Sequence, residues 1–413
     1  MDIELVTIGT ELLLGFTLDT NGAEIAGALA GQGVRVARRT AVADNEPDIS
    51  DAVSAALRRT GAVITTGGLG PTRDDITKKI VAGLFGAPLE FDERIWASLL
   101  DRFARAGRAP VRSNRSQAEV PRGAVVLPNR WGTAPGLWIE GPPGLVVMLP
   151  GVPHEMRMLL QREVVPRLAG RGEGRVIRSL VVRTTGIPES TLAEGMGEIE
   201  RDVAPLSLAY LPGLDGVDLR LTAWNLPPAE ADGLLRPAAD LLRARAGEFV
   251  YGEGDADLAA LVLEEARSRR LHIATAESCT GGLVGERLTE KAGSSDVFVG
   301  GVVCYDNALK ISLLGVPPEL IQSEGAVSEA VARAMAAGAI QRLGVDLAVS
   351  VTGIAGPGGG SEEKPVGTVW IGLAHGGDVT ARRSRFPGDR HDIRRRAAQA
   401  ALLMILRRLQ SLS

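Results

Sequence analysis

The sequence predicts an α/β protein of several domains, built on parallel sheets with crossover helices. Three observations lead there. Short apolar runs alternate with amphipathic helical runs near both ends of the chain. Glycine-rich turns follow several of the apolar runs. The length of 413 residues calls for about three domains, at roughly 150 residues each.

Ile3–Ile8 reads as a strand, Asn21–Ala30 as a helix with Ile25 and Leu29 on its apolar face, and Val34–Val42 as a second strand. Ile49–Leu57 is the next helix and Ala62–Thr66 the third strand. Ligands of such sheets sit beyond the carboxyl ends of the strands. Two loops fall there, Gly9-Thr10-Glu11 and Thr66-Gly67-Gly68-Leu69-Gly70-Pro71-Thr72. After Pro166 the composition changes, and Gly170 to Arg175 reads as a charged, glycine-rich linker. From Val176 to about Tyr251 a smaller α/β unit follows. Its strands lie near Val176–Thr184 and Val217–Ala223, its helices near Glu189–Ile199 and Ala229–Ala246.

Gly213-Leu214-Asp215-Gly216 has the GxxG spacing that clamps a nucleic-acid backbone in KH modules. Here it joins two strands rather than two helices and reads as a hairpin turn. Tyr251 to Asp255 reads as a second linker. A third α/β unit runs from Leu258 to Leu409, with strands at His272–Ala276, Val297–Tyr305, Leu347–Thr352 and Thr368–Ala374.

Composition narrows the function classes. An apolar fraction of 45% is that of a globular protein. No apolar run approaches the roughly 18 residues of a membrane span, and Asp2 and Glu4 follow Met1 at once, so neither membrane nor signal peptide is expected. Cys279 and Cys304 are the only cysteines and form no CxxC site. A cytoplasmic protein is expected. A net charge of −4 argues against nucleic acid as a partner, since non-specific binding rests on phosphate neutralisation. Arg394-Arg395-Arg396 reads as the solvated face of an amphipathic helix. The other basic residues are nearly all arginine. The few lysines, Lys78, Lys79, Lys291, Lys310 and Lys364, stand out because a buried lysine can act as a base and arginine cannot.

The carboxy-terminal third holds the densest chemistry. Ala276-Glu277-Ser278-Cys279-Thr280-Gly281-Gly282 follows an apolar run and precedes a helical run bearing Leu283, Val284, Arg287 and Leu288. Strand, tight turn and helix would place Ser278 at a helix N-terminus, where unpaired N–H groups favour negative charge. Ser278 is either a structural N-cap or a nucleophile whose oxyanion meets N–H groups near Thr280–Gly282. Cys279 is the rival nucleophile, since a thiol at a helix N-terminus has a lowered pKa. Two further segments could converge with it at the strand ends. One is Cys304-Tyr305-Asp306-Asn307-Ala308-Leu309-Lys310, with Asp306 as N-cap and Lys310 one turn into the helix. Desolvated beside Tyr305, Lys310 could serve Ser278 as general base. The other is Thr352-Gly353 through Gly356, Gly358 and Gly360, whose successive N–H groups suit a phosphate. His272, His375 and His391 form no triad with Ser278 and read as structural or surface residues.

In the first unit, Gly67, Gly68, Gly70 and Thr72 form a turn that offers N–H groups to a phosphate, and Asp74 and Asp75 follow within one helical turn. The pair either complements the helix dipole or holds a divalent cation on phosphate oxygens.

The runs AESCTGG, YDNALK and TGIAGPGGG together resemble the carboxy-terminal domain of the CinA family, whose stand-alone relatives are nicotinamide mononucleotide deamidases. The runs GTELLLG, NRSQA, NRWGTAPG and LPGVPHEM, with the Thr65–Asp75 turn, resemble the MoaB/MogA-type molybdopterin-binding fold found in CinA proteins. The resemblance spans essentially the whole chain. It implies a MoaB/MogA-like domain over residues 1–169, a KH-like domain over 175–252 and a deamidase domain over 256–413. It further implies a pyridine-nucleotide salvage enzyme that converts nicotinamide mononucleotide to nicotinic acid mononucleotide and ammonia. By analogy Ser278 is the nucleophile, and Lys310 and Tyr305 assist proton transfer. Thr280, Gly281, Gly282, Thr352 and the Gly353–Gly360 loop contact substrate, and Arg390 binds its phosphate. No cofactor is expected there. The first domain would be an ADP-ribose pyrophosphatase using a divalent metal cation on Asp74 and Asp75, and the protein a homodimer. The alternatives are a molybdopterin-binding or adenylylating protein and a non-enzymatic competence or damage-response protein.

Overall fold

The computed structural model describes residues 1–172 and 174–412. It divides into two compact units, one of Met1–Arg178 with Thr222–Leu234, the other of Ser179–Leu221 with Leu235 onward.

In the first unit a six-stranded sheet runs in the order Arg35–Val42, Asp2–Ile8, Ala62–Thr66, Gly144–Leu149, Gly136–Gly141, Val125–Leu127. The first four strands are parallel and the last two antiparallel. Strand residues alternate between two apolar layers, as a period of two demands. Leu5, Ile64, Val147 and Leu149 pack with Ile25, Leu29 and Met156 on one face. Val6, Val63, Val146 and Met148 pack with Ile49, Val53 and Val81 on the other. The expected helices form at Thr20–Ala30 and Glu46–Thr60, capped by the side chains of Asp19 and Asn45.

The middle sheet has the order Ser207–Pro212, Val217–Leu226, Val176–Thr184, Val250–Glu253. Gly213 to Gly216 closes a hairpin, with Gly213 N donating to Gly216 O at 2.8 Å. Asp215 in this turn meets Arg395 at 3.2 Å. The helix expected over Glu189–Ile199 is broken at Gly197, which has a φ of 55°. Neither expected linker is a free tether. Val250–Glu253 is a strand paired antiparallel to Val176–Thr184, because its backbone groups need ladder partners. In the other, Arg171 lies over the Trp138 ring and pairs with Glu140 at 2.9 Å. Glu173 of that segment lies outside the described residues.

The last sheet runs Phe298–Val303, Ile273–Glu277, Leu347–Gly353, Thr368–His375, Asp378–Arg385. The first three strands are parallel, the others antiparallel. Helices Leu258–Arg269, Leu283–Thr289 and Arg390–Gln410 cover one face. Asn307–Leu314 and Glu329–Leu343 cover the other. Among the described residues no helix is long and apolar enough to cross a membrane.

Candidate functional sites

Parallel strands ending in register bring the three carboxy-terminal segments together. Glu277 pairs with Val303 on one side and with Val351 on the other. Ser278, Cys304 and Thr352 are therefore the next residues out along three neighbouring strands. Ser278 N donates to Val351 O at 2.9 Å, and Cys304 N to Glu277 O at 2.8 Å, which fixes both departures.

The structure corrects the expected strand–turn–helix placement of Ser278. The helix begins only at Leu283, with Gly282 as its N-cap. Gly281 and Gly282, at φ 61° and 95°, extend the turn and separate Ser278 from the helix. The residue that meets the helix N-terminus is Glu277, whose importance sequence reading missed. Its buried carboxylate accepts from Gly282 N at 3.0 Å, Val284 N at 3.1 Å and Gly285 N at 2.9 Å. A carboxylate closing an apolar strand must find such donors, and that was the available signal. Gly281 N is taken by Ser278 O at 3.0 Å. Gly281 and Gly282 are thus unavailable as the expected oxyanion donors.

Cys279 is also corrected. It lies in the apolar core rather than at a helix terminus, and burial pushes its thiol up to about 12. A thiol held protonated is a poor nucleophile. Cys304 is likewise buried, with its thiol raised for the same reason.

Asp306 caps the next helix as expected, accepting from Ala308 N at 2.7 Å. Lys310, one turn on, is almost wholly buried, 1% exposed. Its Nζ donates to Cys304 O at 3.0 Å and Tyr305 O at 3.3 Å, not to Ser278. Burial, only partly offset by nearby thiols and Asp306, holds its pKa below the ordinary lysine value. The two carbonyls hold the buried amine at the strand ends.

Tyr305 is exposed, and its hydroxyl accepts from Arg390 Nη2 at 2.7 Å. Arg390 Nη1 also donates to Gly356 O at 2.8 Å. Tyr305, Arg390 and the glycine loop thus form one wall. The Thr352 hydroxyl, by contrast, donates to Ala326 O at 2.8 Å, and its side chain is buried. Gly358 is exposed. The arginine cluster expected to be a solvated face is half-buried instead. Arg394 Nε and Nη2 hold Thr280 O at 3.2 and 2.7 Å, and Arg395 holds Asp215.

The first unit has a cleft of about 370 Å³ where its parallel strands end, lined by Gly67 to Gly70, Asp44, Asp74, Glu155 and the Pro150-Gly151 turn. Gly67 has a φ of 110° and packs so tightly that an added Cβ would lie 2.2 Å from Ile8 O. The runs NRSQA, NRWGTAPG and LPGVPHEM meet at this cleft. Gln117 Nε2 donates to Thr133 Oγ1 at 3.0 Å, and Asn129 Nδ2 to Glu155 Oε2 at 2.5 Å.

Asp74 and Asp75 lie in the turn before the helix, which starts at Thr77. Asp75 Oδ1 accepts from Gly70 N at 2.7 Å, and Oδ2 accepts from Thr72 N at 2.8 Å and from the Thr72 hydroxyl. It braces the loop. Asp74 is exposed. Among the described residues no group of three or more His, Cys, Asp or Glu is placed to hold a metal. Sequence reading also missed the role of Lys78. It is buried behind the loop, its Nζ donates to Ser116 O at 2.5 Å, and burial pushes its pKa down to about 8.

Comparison with known proteins follows this division. Residues 255–409 match the "CinA C-terminal domain", 4–170 the "Probable molybdopterin binding domain" and 179–252 the "Damage-inducible protein CinA KH domain". A "CinA-like protein" from Gemmatimonas aurantiaca is 55% identical over 406 residues, covering 97% of this chain and 95% of its own. The chain belongs to the CinA family. A further CinA-like protein, from Synechocystis sp., is 43% identical over 416 residues and covered in full, as is this chain. The crystal structure of competence/damage inducible protein CihA from Agrobacterium tumefaciens is 44% identical. The match covers 37% of this chain and 94% of that one, with a TM-score of 0.36. Within the family architecture, the MoaB/MogA-like domain carries the glycine-loop cleft, the KH-like domain the Gly213–Gly216 hairpin, and the CinA domain the Ser278 turn.

Proposed function

We propose that the carboxy-terminal site hydrolyses the carboxamide of nicotinamide mononucleotide. The observation that carries this reading is Lys310: a buried amine, its pKa lowered by desolvation, held on two carbonyls at the strand ends that also bear Ser278. Ser278 Oγ adds to the carboxamide carbon while its proton passes to Lys310 Nζ. For this the amine turns from its carbonyls toward Ser278. The carbon–nitrogen bond then breaks, Lys310 returns the proton to the leaving nitrogen, and ammonia departs. Water repeats the sequence on the acyl-enzyme, giving nicotinic acid mononucleotide and free Ser278. Arg390 and the Gly356 loop suit the substrate's phosphate, and Tyr305 orients that guanidinium. The test is product analysis of the purified full chain with nicotinamide mononucleotide. Ammonia release that persists with chelator and vanishes in Ser278→Ala supports the reading. No ammonia from the wild type would sink it.

For the amino-terminal cleft a binding role is favoured over metal-dependent hydrolysis. The specific observation is that both Asp75 carboxylate oxygens are engaged by Gly70 and Thr72, which braces the Gly67–Gly70 loop. A loop of this form can receive phosphate through its N–H groups. The matched model's description as a "Probable molybdopterin binding domain" points to a phosphate-bearing pterin as the ligand. Titration calorimetry with molybdopterin and with ADP-ribose separates the candidates. Chelator-sensitive cleavage of ADP-ribose would restore the pyrophosphatase reading.

A further inference from the structure

The turn carrying Ser278 is held from two sides by opposite charges. Glu277 takes the N–H groups of Gly282, Val284 and Gly285. Arg394 takes the carbonyl of Thr280 with two nitrogens, at 3.2 and 2.7 Å. Thr280 is fully buried and sits at the middle of the turn. Gly281 and Gly282 have positive φ, so the backbone there lacks the steric stiffness that side chains give elsewhere. Fixed external contacts must supply it. Arg394 is anchored in its turn. It lies one helical turn after Arg390 on the same face of Arg390–Gln410, a helix whose start is fixed by reciprocal caps between Asp389 and Asp392.

We infer that Arg394 is a positioning residue for the amide hydrolysis proposed above. It holds the Thr280 carbonyl and so fixes the turn that presents Ser278. Arg394 itself touches neither substrate nor the reacting atoms. The inference rests on the Ser278 reading, and its test keeps the two apart.

The experiment measures kcat and KM for nicotinamide mononucleotide across pH in the full chain. It compares wild type, Ser278→Ala, Arg394→Gln, Arg394→Lys and Arg395→Gln, with a melting temperature for each. Loss of the charged two-nitrogen hold on the Thr280 carbonyl should lower kcat about 10- to 100-fold in Arg394→Gln. KM and the shape of the pH profile should stay as in wild type. Arg394→Lys should recover part of the lost kcat, since an ammonium can still donate to the carbonyl. Arg395→Gln, whose guanidinium engages Asp215, should keep wild-type kcat. A normal kcat in Arg394→Gln overturns the inference. So does a raised KM at unchanged kcat, which would make Arg394 a substrate-binding group. If Arg394→Gln does not fold, the lysine variant decides: folded, with kcat lowered at constant KM, it supports positioning, and with wild-type kcat or without a fold it refutes it. If wild type is inactive, or Ser278→Ala is as active as wild type, the failure lies in the functional reading instead.

Discussion

The two candidate sites occupy equivalent places in their sheets and use carboxylates in opposite ways. At both, parallel strands end in glycine-rich turns. In the amino-terminal cleft Asp75 comes after the loop and reaches back to Gly70 and Thr72. In the carboxy-terminal site Glu277 comes before the turn and reaches forward to the helix that follows. The first arrangement stiffens a cradle for an anion. The second neutralises a helix terminus and leaves a desolvated amine, Lys310, as the reactive feature. Similar topology therefore supports the two different roles proposed above, binding in one cleft and proton transfer at the other site.

The comparison breaks most visibly at Ser278 and Lys310. Ser278→Ala and Lys310→Ala are expected to lower kcat for nicotinamide mononucleotide by about 10³-fold or more, with melting temperatures showing intact folds. Lys310→Arg should fail nearly as badly, because a guanidinium does not give up its proton. The pH profile follows from burial. Lys310 titrates below 10.5, so the neutral amine gains population as pH rises, and kcat/KM should climb and then level off below that value. The stability linkage has the same sign: the unfolded chain holds this proton more tightly, so stability rises with pH through the folded pKa toward 10.5. A kcat/KM that falls over that range would remove Lys310 as the base.

Much of this was legible in sequence, and the gaps have physical causes. Ala62–Thr66 is a strand with the expected bounds because a central parallel strand is apolar on both faces and stands out. Ser207–Pro212 was implied by the hairpin turn but given no bounds, and Val250–Glu253 went unseen. The first buries none of its residues and the second is four residues long with Gly252 inside it, so neither shows much pattern. The convergence of Ser278 with the Cys304–Lys310 and Thr352–Gly360 segments could be expected from motifs at strand ends, while Arg390 entered only through the family resemblance. Their detailed partners could not. Lys310 bonding to Cys304 O, Arg394 to Thr280 O and Glu277 to its helix each depend on how a turn bends, which glycine pairs leave open.

On the amino-terminal side the sharper comparison is between adjacent carboxylates. Asp75→Asn replaces an acceptor of three hydrogen bonds with a neutral group, and should cost about 1–3 kcal/mol in denaturant unfolding. Asp74→Asn, at an exposed position, should stay within about 0.5 kcal/mol of wild type. Equal losses from both would mean that the loop does not depend on Asp75.

The smallest effect on turnover is expected at Cys279, and it bears on the nucleophile directly. Adjacent residues leave the strand with side chains on different sides: Ser278 lies at the strand ends, while Cys279 enters the apolar core with Val284 and Ile393. Burial raises that thiol to about 12, so near neutral pH almost none is thiolate. Cys279→Ala removes one sulfur from a packed core and should lower stability by about 1 kcal/mol, while kcat remains within about threefold of wild type. Both are read from the same preparation, by ammonia release and thermal melting. Loss of turnover in Cys279→Ala with its fold intact, alongside normal turnover in Ser278→Ala, would transfer the nucleophile to the thiol. It would also require the core around Cys279 to open during the reaction.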